Sequence, residues 1–442
     1  MDRRRFLKMG ISASGAMAAS AFLPLAALAK GGNQDAEIQD LLATVGYEGH
    51  PLCREHDSCV VIDPGIFARN IATLRKDMGP DVKVCVVMKS DAYGHGVENL
   101  VAEAVKAGPE YIGLVKNGEI RKAMEWMDKA GMHATILRIA PATFYEAAES
   151  VVKGWPVEEV VGSRPQAEML SRLALWVGKK RGRPFSIPVH INIDTGMGRM
   201  GFERVEDIKK AMALPGIKVR GIMTHFANAY DPKRGEELTR EQMKLFDAKL
   251  SKLDFDDDVI IHTANSGAAL RFPWTRRSMV RVGGALYGDI PTEMNPGNRY
   301  PRVARSFRSS VAWIMHDVPP GTPVGYESVY HTPKGRPVTL ATVKVGYNNG
   351  VPSWAYQKGT EMLIRGKRFP VVGKTSMNLV VLDVTAQNPK DPVRLGDEVV
   401  IFGSQGDQTI TLYDLEETTD VPDCEILLNI GNDNPRVVMT GK

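Results

Sequence analysis

The residues best suited to chemistry in this chain of 442 residues cluster in Val86-Val87-Met88-Lys89-Ser90-Asp91-Ala92-Tyr93-Gly94-His95-Gly96. An apolar, β-branched run ends on Lys89, and a glycine-containing loop follows. A lysine at the end of a buried strand loses hydration, which lowers its pKa and frees its amine for Schiff-base chemistry. Taken alone, a strand-end lysine is more often a solvated one, so its weight comes from its company. In Asp194-Thr195-Gly196-Met197-Gly198-Arg199-Met200-Gly201, a glycine-rich loop carries Arg199, whose guanidinium fork suits anionic acceptors. Thr224-His225-Phe226-Ala227 ends another apolar run on a planar ring. His262-Thr263-Ala264-Asn265-Ser266-Gly267 passes from strand to helix, where the first N–H groups and the Ser266 hydroxyl can receive an anion. Capping of that helix by Asn265 or Ser266 is the plainer use of the same residues. In Val280-Arg281-Val282-Gly283-Gly284, two glycines allow close backbone approach to a phosphate, beside an arginine that cannot give up its proton. No CxxC pair or His/Cys cluster has zinc spacing, so no metal is expected.

Something must hold these side chains together. From about residue 80 to 290, short β-branched runs alternate with amphipathic stretches. Candidate strands run from Val82 to Met88, Tyr111 to Val115, Ala134 to Arg138, Val157 to Val161, Ser186 to Ile193, Lys218 to Thr224, Val259 to Thr263 and Met279 to Val282. Eight strands separated by helical patterns predict an α/β fold, an N-terminal (β/α)8 TIM-type barrel over residues 64–300. Active groups of such barrels sit at the C-terminal ends of the strands, where each of the strings above falls. One helix places Val97, Leu100, Val101, Ala104 and Val105 on one face and ends at Gly108. In another, Thr239 and Gln242 have capping-box spacing before Met243, Phe246 and Leu250. After Pro301, short strands such as Val311 to Met315, Val338 to Val345, Phe369 to Val372 and Val380 to Val384 are separated by Gly and Pro turns. They predict a smaller, mainly β domain over 301–442. The segment Cys59 to Ile62, within residues 55–63, comes too early for the barrel and is expected to add a strand to that domain.

In the same chain order, these strings resemble those of the alanine racemase family, and the likeness runs through nearly all of the chain after residue 29. The resemblance implies that pyridoxal 5'-phosphate is the cofactor and that Lys89 carries it. Tyr93 would contact its phosphate together with Ser266, Gly283 and Gly284, and His225 would lie against the pyridine ring. Arg199 would face the phenolic oxygen and the substrate carboxylate. Arg281 would face the pyridine nitrogen and keep it unprotonated, which weakens the ring as an electron sink and disfavours transamination. In the second domain, Gly321-Thr322-Pro323-Val324-Gly325-Tyr326-Glu327-Ser328 resembles the segment bearing the family's second catalytic base, at Tyr326. A phenol titrates near ~10, so a base there needs neighbouring positive charge, for which Arg199 is the candidate. Tyr347 resembles a tyrosine at the substrate entrance, and Met377 a residue whose backbone helps bind the substrate carboxylate. The implied reaction interconverts L- and D-amino acids, with Lys89 and Tyr326 working on opposite faces of the α-carbon. In this family the tyrosine comes from the other subunit, which implies a two-fold homodimer taking free amino acids.

Three positions depart from alanine racemases. Asn192, seven residues before Arg199, stands where many carry a carbamylated lysine, and Asn378 stands where an aspartate is usual. Counting back from Pro435-Arg436, the tyrosine that narrows the alanine pocket falls at Cys424. Losing that ring leaves room beyond the β-carbon, so a broad-spectrum racemase acting on Ala, Lys, Arg and others is expected, as in the periplasmic members. The alternatives are a strict alanine racemase and, from another class, a non-catalytic pyridoxal-phosphate-binding barrel, which would lack Tyr326 and its domain. A decarboxylase of similar build would set a carboxylate, not Arg281, opposite the ring nitrogen.

The first 29 residues read as an export signal: Arg3, Arg4 and Arg5 resemble a twin-arginine motif, and Ala27-Leu28-Ala29 suits a signal peptidase. The expected location is the periplasm, where a Cys53–Cys59 disulfide is chemically admissible. Removing the signal's net +3 from the formal +4 leaves about +1. Nothing in that balance points to nucleic acid, and no later apolar run has the length to span a bilayer.

Overall fold

The computed structural model describes residues 57–439. The segment expected to be an export signal, and Cys53, therefore lie outside the described residues.

The described chain opens on β1 (Ser58–Ile62) and α1 (Pro64–Met78), the latter capped by Asp63, whose carboxylate accepts from the N–H groups of Gly65 and Ile66. Eight parallel strands then form one sheet: β2 (Lys83–Val87), β3 (Tyr111–Leu114), β4 (Thr135–Arg138), β5 (Val157–Val161), β6 (Ile187–Asn192), β7 (Ile217–Met223), β8 (Ile260–His262) and β9 (Met279–Val282). All eight expected strands are present, and β2 pairs with both β3 and β9. The seam between β8 and β9 is tied by hydrogen bonds from Ser278 N–H to Ile261 O (2.9 Å) and from Arg281 N–H to Ala264 O (3.0 Å). The sheet is thus a nearly closed barrel.

Its strands read as continuous apolar runs because both faces are covered. Inside, Cys85, Leu137, Val160, Met223 and Met279 pack together; outside, the helices bury an apolar stripe against the strands. Cys85 is the expected core residue, and burial pushes its thiol up to about 12. The helix α2 (Val97–Lys106) buries Val97, Leu100, Val101 and Ala104, and Gly108 turns the chain out of it at a φ of +63°.

One helix start differs from the expectation. The helix α3 spans Gly235–Leu250, so Thr239 and Gln242 lie inside it and form no capping box. The Thr239 hydroxyl donates instead to Gly235 O (2.5 Å). Gln242 holds the loop after β7, accepting from Ala227 N–H (2.9 Å) and donating to His225 O (3.2 Å). Spacing alone cannot tell a capping pair from two buried polar residues one turn apart.

The second domain is built on the long strand β10 (Ala304–Val318). The early strand β1 pairs antiparallel with it, Val60 opposite Phe307, so the N-terminal segment does add a strand to this sheet. Further along come β11 (Val338–Val343), β12 (Glu361–Ile364), β13 (Val380–Asp383) and β14 (Glu398–Gln405). Two helices that the turn-rich texture hid follow, α5 (Leu412–Thr419) and α6 (Asp423–Asp433). The last strand, β15 (Arg436–Val438), returns parallel to β1 with Val60 opposite Arg436. Between α3 and these lies α4 (Ser266–Arg271), a short helix at the barrel's site end.

Candidate active site

A cavity of about 490 Å3 opens at the C-terminal ends of the barrel strands. It brings together Lys89, Tyr93, Arg199, His225, Ser266, Arg281, Gly283 and Gly284, the barrel residues singled out from the sequence. Strand ends supply them: Lys89 two residues past β2, His225 past β7, Ser266 past β8, and Gly283 directly after β9.

Burial, reinforced by the Arg199 charge, holds the Lys89 ammonium below the ordinary lysine range. The residues after it do something the sequence did not announce. Ser90, Asp91, Ala92 and Tyr93 all have φ near +54° (54°, 53°, 55° and 53°), a left-handed turn made without glycine. Backbone bonds brace it nonetheless, Ala92 N–H to Met88 O (2.9 Å) and, just past it, Gly94 N–H to Ser90 O (3.0 Å). Glu119 props it from below, accepting from Asp91 N–H (3.1 Å) while its other oxygen takes Val115 and Lys116 N–H. The turn carries the Tyr93 ring across to Gly283. A Cβ added at Gly283 would lie 2.2 Å from the Tyr93 hydroxyl, so this glycine clears room for that group. At Gly284 the space is taken by Asp289 O, 2.5 Å from an added Cβ.

The plainer reading of the β8 string also holds. Asn265 caps α4, its Oδ1 accepting from Ala268 N–H (3.1 Å), while the Ser266 hydroxyl accepts from Gly283 N–H (3.0 Å). The loops after β8 and β9 are thereby stitched together beside Tyr93. Tyr230, which the sequence reading passed over, also lines the cavity, its ring 3.1 Å from where Gly267 would carry a Cβ.

Arg281 is buried, and no carboxylate of the described residues pairs with it. One nitrogen donates to Thr224 O (2.7 Å) and Thr263 O (3.2 Å), the other to His262 O (2.9 Å) and His262 Nδ1 (3.0 Å). An arginine only donates, which fixes the direction of the chain beyond it. His262 Nε2 must donate to His190 Nδ1 (2.7 Å), and His190 Nε2 to Glu158 Oε2 (2.7 Å). Burial first, then neighbouring charges, hold His262 well below its usual range, and burial also lowers His190. Burial works to raise Glu158, but the His190 and Tyr111 hydrogen bonds and Arg220 outweigh it, leaving a carboxylate. Arg281 itself is pushed down to about 10 by burial and stays charged near neutrality. His225, whose Nδ1 lies 3.5 Å from Arg281, is pushed down to about 3 by burial and the surrounding cations, so its ring is neutral.

The cavity therefore offers a desolvated amine, a fixed guanidinium, a neutral ring and a glycine-lined pocket with hydroxyls. Residues 62–291 match the family model described as alanine racemase, N-terminal domain, and residues 304–438 the one for its C-terminal domain. The chain belongs to the alanine racemase family.

Among its relatives, a broad specificity amino-acid racemase of Aeromonas hydrophila is 37% identical over 390 residues, 85% of this chain and 88% of its own. A lysine racemase of Proteus mirabilis is 32% identical, covering 87% and 90%. The solved alanine racemase of Clostridium difficile superposes with a TM-score of 0.73 at 27% identity, over 87% of this chain and 96% of that one. This family member is accordingly an amino-acid racemase with pyridoxal phosphate as cofactor. The cavity fits that group. Gly283 leaves the hydroxyl of Tyr93 room beside that of Ser266, and Lys89, Arg199 and Arg281 give the cavity the positive charge that a phosphate needs.

Asn192 donates to Met200 O (2.8 Å), and its Oδ1 is buried without a partner among the described residues. No carboxylate of the described residues pairs with Arg199. Cys424, at the start of α6, lies near Lys89, and burial with the charges of Asp289 and Asp423 pushes its thiol up, so it stays protonated. Asp289, Asp423 and Cys424 bring ligand atoms within 4.8 Å of one another. Arg302, 2.6 Å from Asp423, supplies positive charge there.

The other predicted site residues stand apart from this cavity. Tyr326, Tyr347 and Met377 are 65%, 46% and 55% exposed on the β domain, and none lines the cavity of its own chain. They are close to one another: Tyr347 N–H donates to Ser376 O (3.1 Å), Asn348 N–H to Met377 O (2.9 Å), and Lys374 pairs with Glu327 (2.7 Å).

Gly283→Ala should displace the Tyr93 hydroxyl and weaken pyridoxal-phosphate binding by roughly tenfold or more, the loss of about one hydrogen bond to a charged group. Spectroscopic titration of apoprotein checks this, and unchanged affinity would contradict the packing role given to that glycine.

Proposed function

We propose that this racemase interconverts the L- and D-forms of a broad range of amino acids, with Lys89 and the Tyr326 of a second copy as its two bases. The observation that carries the reading is the convergence of Lys89, Arg199 and Arg281 on one cavity of about 490 Å3. When bound, pyridoxal phosphate acidifies the α-proton of the amino acid linked to it. Lys89, with its lowered affinity for protons, takes or supplies a proton at Nζ on one face. The phenol of Tyr326 does the same at Oη on the other. Arg199 would bind the substrate carboxylate, His225 would lie against the cofactor ring, and the backbone near Met377 would add a carboxylate contact while Tyr347 guards the entrance. Ser266, Gly283, Gly284 and Tyr93 would hold the phosphate. Arg281 discourages protonation of the ring nitrogen and so favours racemisation over transamination.

The exposure of Tyr326, Tyr347 and Met377 on one loop cluster supports a homodimer in which each barrel is completed by the other copy's β domain. Location in the periplasm rests on the N-terminal signal. Among the described residues no helix is long and apolar enough to cross a membrane. With export, Cys59, fully buried on β1, is proposed to pair with Cys53. Peptide mapping without reductant should find the two linked, and free alkylation of both thiols would exclude the bridge.

Breadth of substrate follows from the missing ring at Cys424, since an open apolar pocket discriminates each extra methylene by only about 1–3 kcal/mol. A panel of L-amino acids should yield D-products from lysine and arginine as well as alanine, and Cys424→Tyr should restore a preference for alanine. Turnover of alanine and nothing larger would make this a strict alanine racemase. Tyr326→Phe should keep the cofactor but lower racemisation by about two to four powers of ten. Near-normal rates in both directions would remove Tyr326 from the chemistry.

A further inference from the structure

The left-handed turn after Lys89 is held from an unexpected quarter, the last strand of the chain. Arg436 forks over it: Nε donates to Gly94 O (2.8 Å), and a terminal nitrogen pairs with Asp91 Oδ2 (2.9 Å). Its side chain is only 14% exposed. It thus adds a side-chain grip on both Asp91 and Gly94 to the turn's own backbone bonds, such as Gly96 N–H to Asp91 O (2.8 Å). Asp91 Oδ1 is occupied by Val97 N–H (3.1 Å) and Lys122 (3.2 Å), both on the barrel side. The backbone of Arg436 is fixed in turn by the parallel pairing of β15 with β1. Helix α6 closes over the same spot. A Cβ at Gly431 would lie 2.0 Å from Gly94 O, and one at Gly94 would lie 2.5 Å from Leu427 O.

We propose that Arg436 is a positioning residue for the cofactor lysine. It acts through the turn, and the idea rests on the reading of Lys89 as the residue that carries the cofactor. Tyr93 lies between the two points that Arg436 grips, and its hydroxyl fits against Gly283 with no slack. Relaxation of Asp91 or Gly94 toward right-handed backbone would swing that hydroxyl out of the phosphate pocket and re-aim Lys89. Arg436 itself does not line the cavity.

The test measures pyridoxal-phosphate affinity of the full chain by spectroscopic titration, together with the melting temperature of the apoprotein. Arg436→Ala should raise Kd by about tenfold or more, and Arg436→Lys, which keeps the charge beside Asp91, should recover most of that loss. Asp91→Asn, which spares the bond to Val97, should raise Kd in the same direction, and it decides the matter if Arg436→Ala does not fold. A Kd for Arg436→Ala or Asp91→Asn within about twofold of the unaltered protein, whatever the melting temperature does, would reduce Arg436 to a structural tie. Failure of the unaltered protein to bind pyridoxal phosphate through Lys89 would instead overturn the reading of the site itself.

Discussion

The site depends on a backbone constraint: four successive L-residues, Ser90 to Tyr93, held in left-handed conformation directly after Lys89. Each such residue costs roughly 1–2 kcal/mol relative to right-handed backbone, so the turn persists only because its surroundings over-determine it. Glu119 satisfies Asp91 from the barrel, and Arg436 with α6 closes it from the second domain. A right-handed turn would point Tyr93 elsewhere and leave the space at Gly283 unfilled. Strain is thus concentrated where the chain must deliver two side chains, an amine and a phenol, into one small cavity.

Charge is arranged with similar economy. Lys89, Arg199 and Arg281 make the cavity cationic, complementary to a phosphate and a carboxylate. Asp194, an acid that lines the same cavity, is occupied by its own loop, accepting from the N–H groups of Gly196, Met197 and Gly198. Arg281 is kept charged by carbonyls and by a line of two neutral histidines leading to Glu158. A Cβ at Gly221 would lie 2.2 Å from His190 Nδ1, so even the β7 backbone is shaped to admit that ring.

Much of this was legible in the sequence, for identifiable reasons. The barrel strands are apolar on both faces, so their runs stand out, and chemistry-bearing residues at their ends inherit a common location. The early strand β1 was readable because an apolar run preceding the barrel needed another partner. What stayed hidden depends on tertiary context. Nothing in Ser90-Asp91-Ala92-Tyr93 signals a left-handed turn, since glycine, its usual marker, is absent. His190 and His262 in isolation look like satisfied core histidines, Gln242 sits where spacing assigns a helix start, and Tyr230 belongs to none of the strings singled out. Arg436 lies hundreds of residues from the turn it grips, and only the pairing of β15 with β1 brings it there.

Everything proposed for the site hangs on which lysine carries the cofactor. Borohydride reduction of the purified, cofactor-loaded protein followed by peptide mapping measures that directly. The label should appear on Lys89 and on no other lysine, whereas a label on a different lysine, or none at all, would contradict the site described for this barrel.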